Sequence, residues 1–388
     1  MIEYRSHYTS ERSLVGLICC LLILLSGCSE RVPEGETPLK VARQIDALFL
    51  DLARKELSRQ PEIATQMGIN EQALGFAVHS SVNDRSQAGF ERARLDRIEI
   101  VEMLENAPLP PAGSKRRLHL ETVLSAYRSS AELAEFGHGR IGPGIVRPYA
   151  MDQLTGGYLD LPELLMRRQN VRTVADAEAW LLRLSQLNDT IEDEMRRLKA
   201  DADAGIVPPQ FILERMANVA RNFSNGSVDI HPMKIAAEDI VSGISDTNFE
   251  GQQKLAARAE NLIRDEVLPA YIALAGDLDE LAMSAPEQGG MWRVNGGADW
   301  YRTALIYYSS DPQVSAESVH KQGLDLVWEI TAQLDIALTE QGLVEGSVGE
   351  RLTALSAMED QVFTNDEEGR VQLLDYMRVE LELSLIHI

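Results

Sequence analysis

The sequence predicts an all-α protein, built as an irregular multi-helix bundle or array. Apolar residues recur at intervals of three and four, the spacing that places side chains on one face of a helix. The clearest stripe comprises Trp180, Leu184, Leu187, Ile191, Met195 and Leu198 and predicts one continuous helix. Sequences typical of capping boxes precede apolar runs at Thr173–Asp176, Ser347–Glu350 and Thr364–Glu367. Alternating polar and apolar runs, which are typical of strands, are scarce.

The N-terminal segment, residues 1–27, is typical of a lipoprotein signal peptide. Arg5 and Arg12 precede an uncharged apolar run at 14–25, which is too short to cross a bilayer core of about 30 Å. Leu25-Ser26-Gly27-Cys28 then matches the bacterial lipoprotein signal, in which small residues admit the peptidase and the Cys thiol accepts the lipid. We therefore expect lipidation at Cys28, followed by a polar tether over residues 28–38.

The predicted signal peptide and lipidation site contain all three cysteines, and they also predict where in the cell the protein lies. Cleavage would remove Cys19 and Cys20 and the lipid would occupy Cys28, so no thiol remains for catalysis, for zinc or for a disulfide. Ser29 stands where inner-membrane lipoproteins carry a retaining Asp. We expect an envelope protein of a Gram-negative cell, anchored in the outer membrane and facing the periplasm.

Composition and charge exclude several classes of protein. The 388 residues include 37 basic and 60 acidic side chains, which give a net charge of −23. Nucleic-acid binding requires clustered Lys and Arg, so this excess of carboxylates excludes a nucleic-acid partner. The hydrophobic fraction of 45% with few cysteines excludes a disordered or disulfide-stapled chain. The expected partner is the membrane, reached through the lipid.

The exported body is expected to be one helical domain over residues 39–382. Residues 137–148 contain four Gly and two Pro, too many for the interior of a regular element, and this break could separate two lobes. A second Gly-rich stretch spans residues 284–300 and contains two Trp. Loops of this length inside compact domains are often functional.

Familiar catalytic motifs are absent from the sequence. None of the seven His stands at metal-binding spacing, and neither His-Glu-x-x-His, Gly-x-Ser-x-Gly nor a phosphate loop occurs. The acidic run Glu192-Asp193-Glu194 lies about one turn before the basic residues Arg196, Arg197 and Lys199. That spacing predicts a solvated, salt-bridged helix face rather than an active site.

Short stretches spread along the chain carry a resemblance to a known family. They are Pro61–Ile69, Gly157–Pro162, Val171–Thr173, Gly205–Pro209, Val267–Tyr271, Met291–Arg293 and Ser318–Leu324. In this order they resemble the bacterial family known as domain of unknown function 885, whose members are often exported lipoproteins similar to helical zinc metallopeptidases. The resemblance implies a larger helical, zincin-like body, a zinc cofactor in the complete protein and a peptide-like substrate.

The resemblance also implies that the metal site lies elsewhere. In this family the zinc helix follows the stretch that Ser318–Leu324 resembles, whereas this chain shows no such helix. We therefore expect an N-terminal fragment that holds no metal ligand or cofactor and is inactive by itself. Residues 383–388 do not resemble the family and are expected to be a non-native read-through tail.

Four residues are candidates for the substrate cleft of the complete protein: Trp292, Arg293, Tyr301 and His320. An Arg can hold a carboxylate, and Tyr or His can donate a hydrogen bond to a developing oxyanion. Each also has a structural alternative. Trp292 could anchor its loop in the core, Tyr301 could belong to an aromatic packing patch, and His320 could be a buried, hydrogen-bonded side chain.

Three classes of function remain open at this point. The first is a lipid-anchored zinc-dependent peptidase or hydrolase, of which this chain is the N-terminal part. The second is a non-catalytic helical lipoprotein that binds or scaffolds a component of the periplasm. The third, a hydrolase that uses carboxylates or a Ser of this chain without zinc, requires paired titratable groups in a cleft.

Overall fold

The computed structural model describes residues 36–142, 144–358 and 361–386. Cys28, the predicted signal peptide and most of the predicted tether lie outside these ranges. The described chain contains sixteen α-helices and two short strands, which confirms the all-α prediction. Within the same ranges, no helix combines the length and apolar character needed to cross a membrane.

Five helices form the first part of the chain: α1 (Glu36–Arg59), α2 (Pro61–Gln66), α3 (Glu71–Leu74), α4 (Gln87–Glu105) and α5 (Lys115–Ala134). Helix α1 begins inside the predicted tether. The side chains of Ser86 and Ser114 cap α4 and α5 by accepting hydrogen bonds from backbone amides that lack helical partners. A core shared by α1, α4 and α5 contains Ile45, Phe49, Leu52, Ile100, Leu104 and Leu120.

The Gly-rich break at 137–148 forms a small antiparallel hairpin. Strands β1 (Arg140–Gly142) and β2 (Ile145–Arg147) pair with Ile141 opposite Val146. Gly139 has a φ of +83°, and a Cβ at this position would lie 2.3 Å from the carbonyl oxygen of Arg147. Only glycine therefore fits where the chain enters the hairpin.

The largest core lies in the middle of the chain. It is formed by α6 (Gly157–Glu163), α7 (Val174–Ser185), α8 (Leu187–Asp203), α9 (Gln210–Ser224), α10 (Pro232–Ser242), α11 (Phe249–Leu262) and α12 (Leu268–Ser284). Single π-helical turns, Leu164–Arg168 and Ile263–Val267, follow α6 and α11. The predicted apolar stripe is buried throughout, but a turn at Gln186 divides it between α7 and α8. The predicted capping box, Thr173 with Asp176, starts α7.

Helix α13 (Gly297–Ser309) follows a short 3-10 turn, Met291–Arg293, and fixes the hairpin from one side. The Tyr307 hydroxyl donates to Gly142 O at 3.0 Å and accepts from Gly144 N at 3.1 Å. The Tyr308 hydroxyl accepts from Val146 N at 2.9 Å. The aromatic patch predicted around Tyr301 therefore holds the hairpin through Tyr307 and Tyr308.

The chain divides into two compact units between Gln313 and Val314. The break at 137–148 lies within the first unit. The second unit contains α14 (Ala316–Glu340), α15 (Val348–Ser356) and α16 (Glu367–Ile386), so the described part of the predicted tail is helical. The capping box at Ser347 is present, whereas the box expected at Thr364 is replaced by Asp366, whose side chain accepts from Gly369 N.

Candidate functional site

A charged cleft of about 500 Å³ opens in the first unit. Its walls come from the end of α1, α2, the segment before α4, α4 itself, the hairpin, α6 and α8. The ionisable side chains that line it are Glu56, Arg59, Glu62, Asp84, Arg85, Arg97, Arg140, Asp160, Glu163, Glu194 and Arg197. Concave sites with converging polar groups are the usual place for a bound ligand.

Arg85 is the centre of a buried ion-pair network beside the cleft. Its guanidinium donates to both carboxylate oxygens of Glu62, at 2.5 and 2.7 Å, in the fork geometry that suits a carboxylate. Arg85 Nε lies 3.2 Å from Glu194 Oε1, and Nη2 lies 3.4 Å from Asp160 Oδ2. Burial alone would lower the pKa of Arg85, but these carboxylates raise it above its usual value. The guanidinium of Arg85 is therefore permanently charged, and the carboxylates of Glu62, Asp160 and Glu194 surround it.

Glu194 joins α8 to the start of α6. Only 1% of this residue is exposed, and its carboxylate accepts a hydrogen bond from Gly157 N at 2.5 Å. A Cβ on Gly157 would lie 2.7 Å from Thr190 Cγ2, so glycine is required for this close approach. Burial raises the pKa of Glu194, although Arg85 and Arg140 oppose the shift.

The prediction of a solvated face at Glu192–Glu194 is therefore wrong for one of its three carboxylates. Glu192 and Asp193 pair with Arg196 near the surface, as expected, but Glu194 and Arg197 are buried. Glu194 follows Ile191 by three residues and precedes Leu198 by four, so it lies on the same side of α8 as the apolar stripe.

Two further arginines bind carbonyl oxygens in β1 and just before it. Arg97 donates to Ile141 O at 2.6 Å and to Ala93 O at 2.8 Å. Arg197 donates to Gly139 O at 2.7 Å, and its guanidinium carbon lies 4.6 Å from the centre of the Phe90 ring. These contacts satisfy the carbonyl groups that the two-stranded hairpin leaves unpaired.

The four candidates predicted from the sequence lie outside this cleft. Trp292 is 71% exposed, so the alternative that it anchors the loop in the core is wrong. Arg293 is partly buried and donates to the Tyr149 hydroxyl at 2.9 Å and to the Val207 carbonyl, so its side chain fixes the loop against two distant segments of the first unit. Tyr301, on α13, is 47% exposed.

His320 lies on the second unit, near the start of α14. Its side chain is exposed, and so are the stripe residues Val319, Leu326 and Ile330. The expectation of a buried structural histidine is therefore wrong. A role for any of the four candidates in binding substrate stays a prediction.

The described residues do not provide a zinc site. Across residues 36–142, 144–358 and 361–386, no group of three His, Cys, Asp or Glu side chains could hold a metal ion. The carboxylates of the cleft point to the same conclusion, because Glu62, Asp160 and Glu194 are held by arginines rather than facing one another around a vacant position.

The first unit therefore combines packed α-helices with a small hairpin and an arginine-rich cleft beside it. The sequence profile of the family "Bacterial protein of unknown function (DUF885)" matches residues 61–383. The chain belongs to this family. No curated protein matches it.

The fold is shared with a solved structure. The crystal structure of "the putative lipoprotein from Colwellia psychrerythraea" superposes with a TM-score of 0.80 at 22% sequence identity. The match covers 88% of this chain and 58% of that chain. The chain described here thus spans little more than half the length of this structural neighbour.

Proposed function

We propose that this chain is a lipid-anchored protein of the bacterial cell envelope that binds a ligand in the hairpin cleft. The lipid attachment is supported by the apolar run at 14–25, by the sequence Leu25–Cys28 and by the name of the structural neighbour. The missing Asp after Cys28 favours the outer membrane, with the cleft in the periplasm.

We further propose that the complete protein is a zinc-dependent peptidase or hydrolase and that this chain supplies ligand binding rather than catalysis. The proposal rests on the resemblance to helical zinc metallopeptidases, and 42% of the structural neighbour lies outside the match, as the coverage of 58% implies. The residues described here do not fit a zinc ion, so no catalytic step is assigned to them.

One observation carries the proposal of binding. Every carboxylate that lines the cleft has a cationic partner within 4.0 Å, and an ion pair favours the ionised form and lowers the basicity that a general base needs. A general base must reach the proton that it abstracts, with a pKa near the working pH. The cleft is therefore better suited to holding a ligand than to reacting with it, which disfavours a carboxylate hydrolase.

Metabolic labelling with palmitate tests the anchor. The wild-type chain should incorporate the label and sediment with outer membranes, whereas Cys28→Ser should incorporate none. Ser29→Asp is the matched control: it should remain labelled but shift to the inner membrane. Unlabelled wild-type protein would overturn the proposed anchor.

The proposed peptidase is tested by sequencing the gene beyond codon 382. The proposal expects a His-Glu pair one helical turn from another His in the continued reading frame. A longer reading frame without this motif, or a confirmed stop after codon 388, would favour the second candidate, a binding or scaffolding lipoprotein without chemistry. The exposed apolar residues of α16 are consistent with either, because both need a surface for a further helix or partner.

A further inference from the structure

The charges that line the cleft are unequally compensated. All six carboxylates lie within 4.0 Å of an arginine: Glu56 with Arg59, Glu62 and Glu194 with Arg85, Asp84 with Arg92, Asp160 with Arg85 and Arg140, and Glu163 with Arg168. In the described part of the chain, no carboxylate oxygen lies within that distance of Arg97 or Arg197. All carboxylates that line the cleft are therefore in ion pairs, whereas the guanidinium groups of Arg97 and Arg197 contact no carboxylate of the described residues.

Burial disfavours the charged form of the guanidinium groups of Arg97 and Arg197, which contact no described carboxylate. Burial lowers the pKa of Arg197, of which only 7% is exposed, and the charge of Arg140 adds to this effect, while Asp201 and Glu194 oppose it. Burial also lowers the pKa of Arg97, where Glu56 and Arg59 act in opposite directions. Arg85 shows the contrast, because its carboxylates raise its pKa. Both guanidinium groups donate to carbonyl oxygens but contact no carboxylate within the described ranges, so an anion from outside the chain would complete the ion pairs that burial makes favourable.

The hairpin brings these groups to one place. Gly139 and Ile141, the carbonyl partners of Arg197 and Arg97, are two residues apart along the chain, one just before β1 and one within it. Arg140 lies between them, and its buried Nη1 has no hydrogen-bond partner among the described residues. Tyr307 and Tyr308 fix the hairpin. A rigid support of this kind keeps a binding site preorganised.

We propose that the cleft recognises a carboxylate of its ligand through Arg97 and Arg197, with Arg140 beside them. The proposal rests on the function proposed above and adds the ligand class: a peptide or small molecule with a free carboxylate near its recognised end. Guanidinium groups are suited to this task because their planar fork matches the two oxygens of a carboxylate.

The test is a calorimetric titration of the full chain, purified in detergent, with the dipeptide Ala-Ala and with its C-terminal amide. We expect Ala-Ala to bind and the amide to bind at least about tenfold more weakly, since the lost contact is a charge-assisted hydrogen bond. Arg197→Met, which keeps a long side chain over Phe90, and Arg97→Gln should each weaken Ala-Ala binding by a similar factor. Arg221→Gln is the control, because Arg221 pairs with Asp279 on the surface of the same unit.

The outcomes separate this inference from the proposed function. Equal binding of the acid and the amide, unaffected by Arg197→Met and Arg97→Gln, would overturn carboxylate recognition but leave ligand binding standing. Binding of inorganic phosphate but of neither dipeptide, lost in both arginine variants, would overturn the peptide-like ligand and the carboxylate in favour of a free anion site. No heat with any of the three probes would overturn both proposals. The comparison of acid with amide uses the wild-type chain, so it does not depend on the folding of a variant.

Discussion

Asp201, on α8, offers a stability test that depends on pH. The residue is 9% exposed, lies one turn after Arg197 and has one carboxylate oxygen without a hydrogen-bond partner among the described residues. Burial raises its pKa from 3.8 to about 6, although Arg197 and the backbone amide of Gly139 act to lower it. Asp201→Asn removes the ionisable group while keeping its size and an oxygen that can accept from Gly139.

The sign and size of the effect follow from the two pKa values. Between pH 3.8 and about 6 the folded state binds more protons at Asp201 than the unfolded state, so the free energy of unfolding falls as the pH rises. A shift of about two units corresponds to about 3 kcal/mol, and this cost is complete above pH 6. Asp201→Asn should therefore stabilise the first unit by up to about 3 kcal/mol at pH 8 and by almost nothing below pH 4.

Urea unfolding of the wild type and of Asp201→Asn at intervals from pH 4 to pH 8 measures the difference in their free energies of unfolding. Asp203→Asn is the matched control, because Asp203 lies two residues away on the same helix and is exposed. The control should change the free energy of unfolding little at any pH. A difference between Asp201→Asn and wild type that stays constant with pH, or that favours wild type at pH 8, would refute the reasoning.

Three further predictions follow, two from single contacts and one from an exposed apolar face. Glu62→Gln breaks the buried pair with Arg85 and should lower the free energy of unfolding by about 3 kcal/mol; a loss below about 1 kcal/mol in urea unfolding would contradict the assigned burial. Thr173→Ala removes half of a capping box and should cost about 1 kcal/mol; an unchanged thermal midpoint would argue against the cap. The chain from Cys28 made without lipid or detergent should self-associate, because Leu374 and its neighbours on α16 are exposed; a monodisperse monomer in light scattering would count against this expectation.

Much of the fold follows from local patterns that a sequence displays directly. The stripe from Trp180 to Leu198 predicts a buried helical face, and Thr173 with Asp176 marks its start, because both depend on residues within one or two turns. The division at Gln186 was not predicted, since the apolar spacing continues across it. The sequence does not predict the hairpin, because strands of three residues each are too short to show an alternating pattern.

The sequence predicts single residues of the cleft but not the ion pairs that join them. Arg85 meets Glu62, Asp160 and Glu194 across separations of 23 to 109 residues, and no local pattern specifies such pairs. Some signals were nevertheless present. Glu62 and Asp160 lie in two of the stretches that resemble the family, and the spacing of Glu194 from Ile191 places it on the buried side of α8. An acidic run on an amphipathic helix should therefore be assigned residue by residue, because one carboxylate of the run can face the core.

Hydrogen–deuterium exchange of the full chain with and without Ala-Ala tests most directly whether the hairpin cleft is the binding site. The amides of Arg140–Gly142 and of the first turns of α4 and α6 should exchange more slowly with the dipeptide, and Arg197→Met should require about tenfold more dipeptide for the same protection. Protection confined to residues 291–301, around Trp292, Arg293 and Tyr301, would contradict this account and favour the site predicted from the sequence.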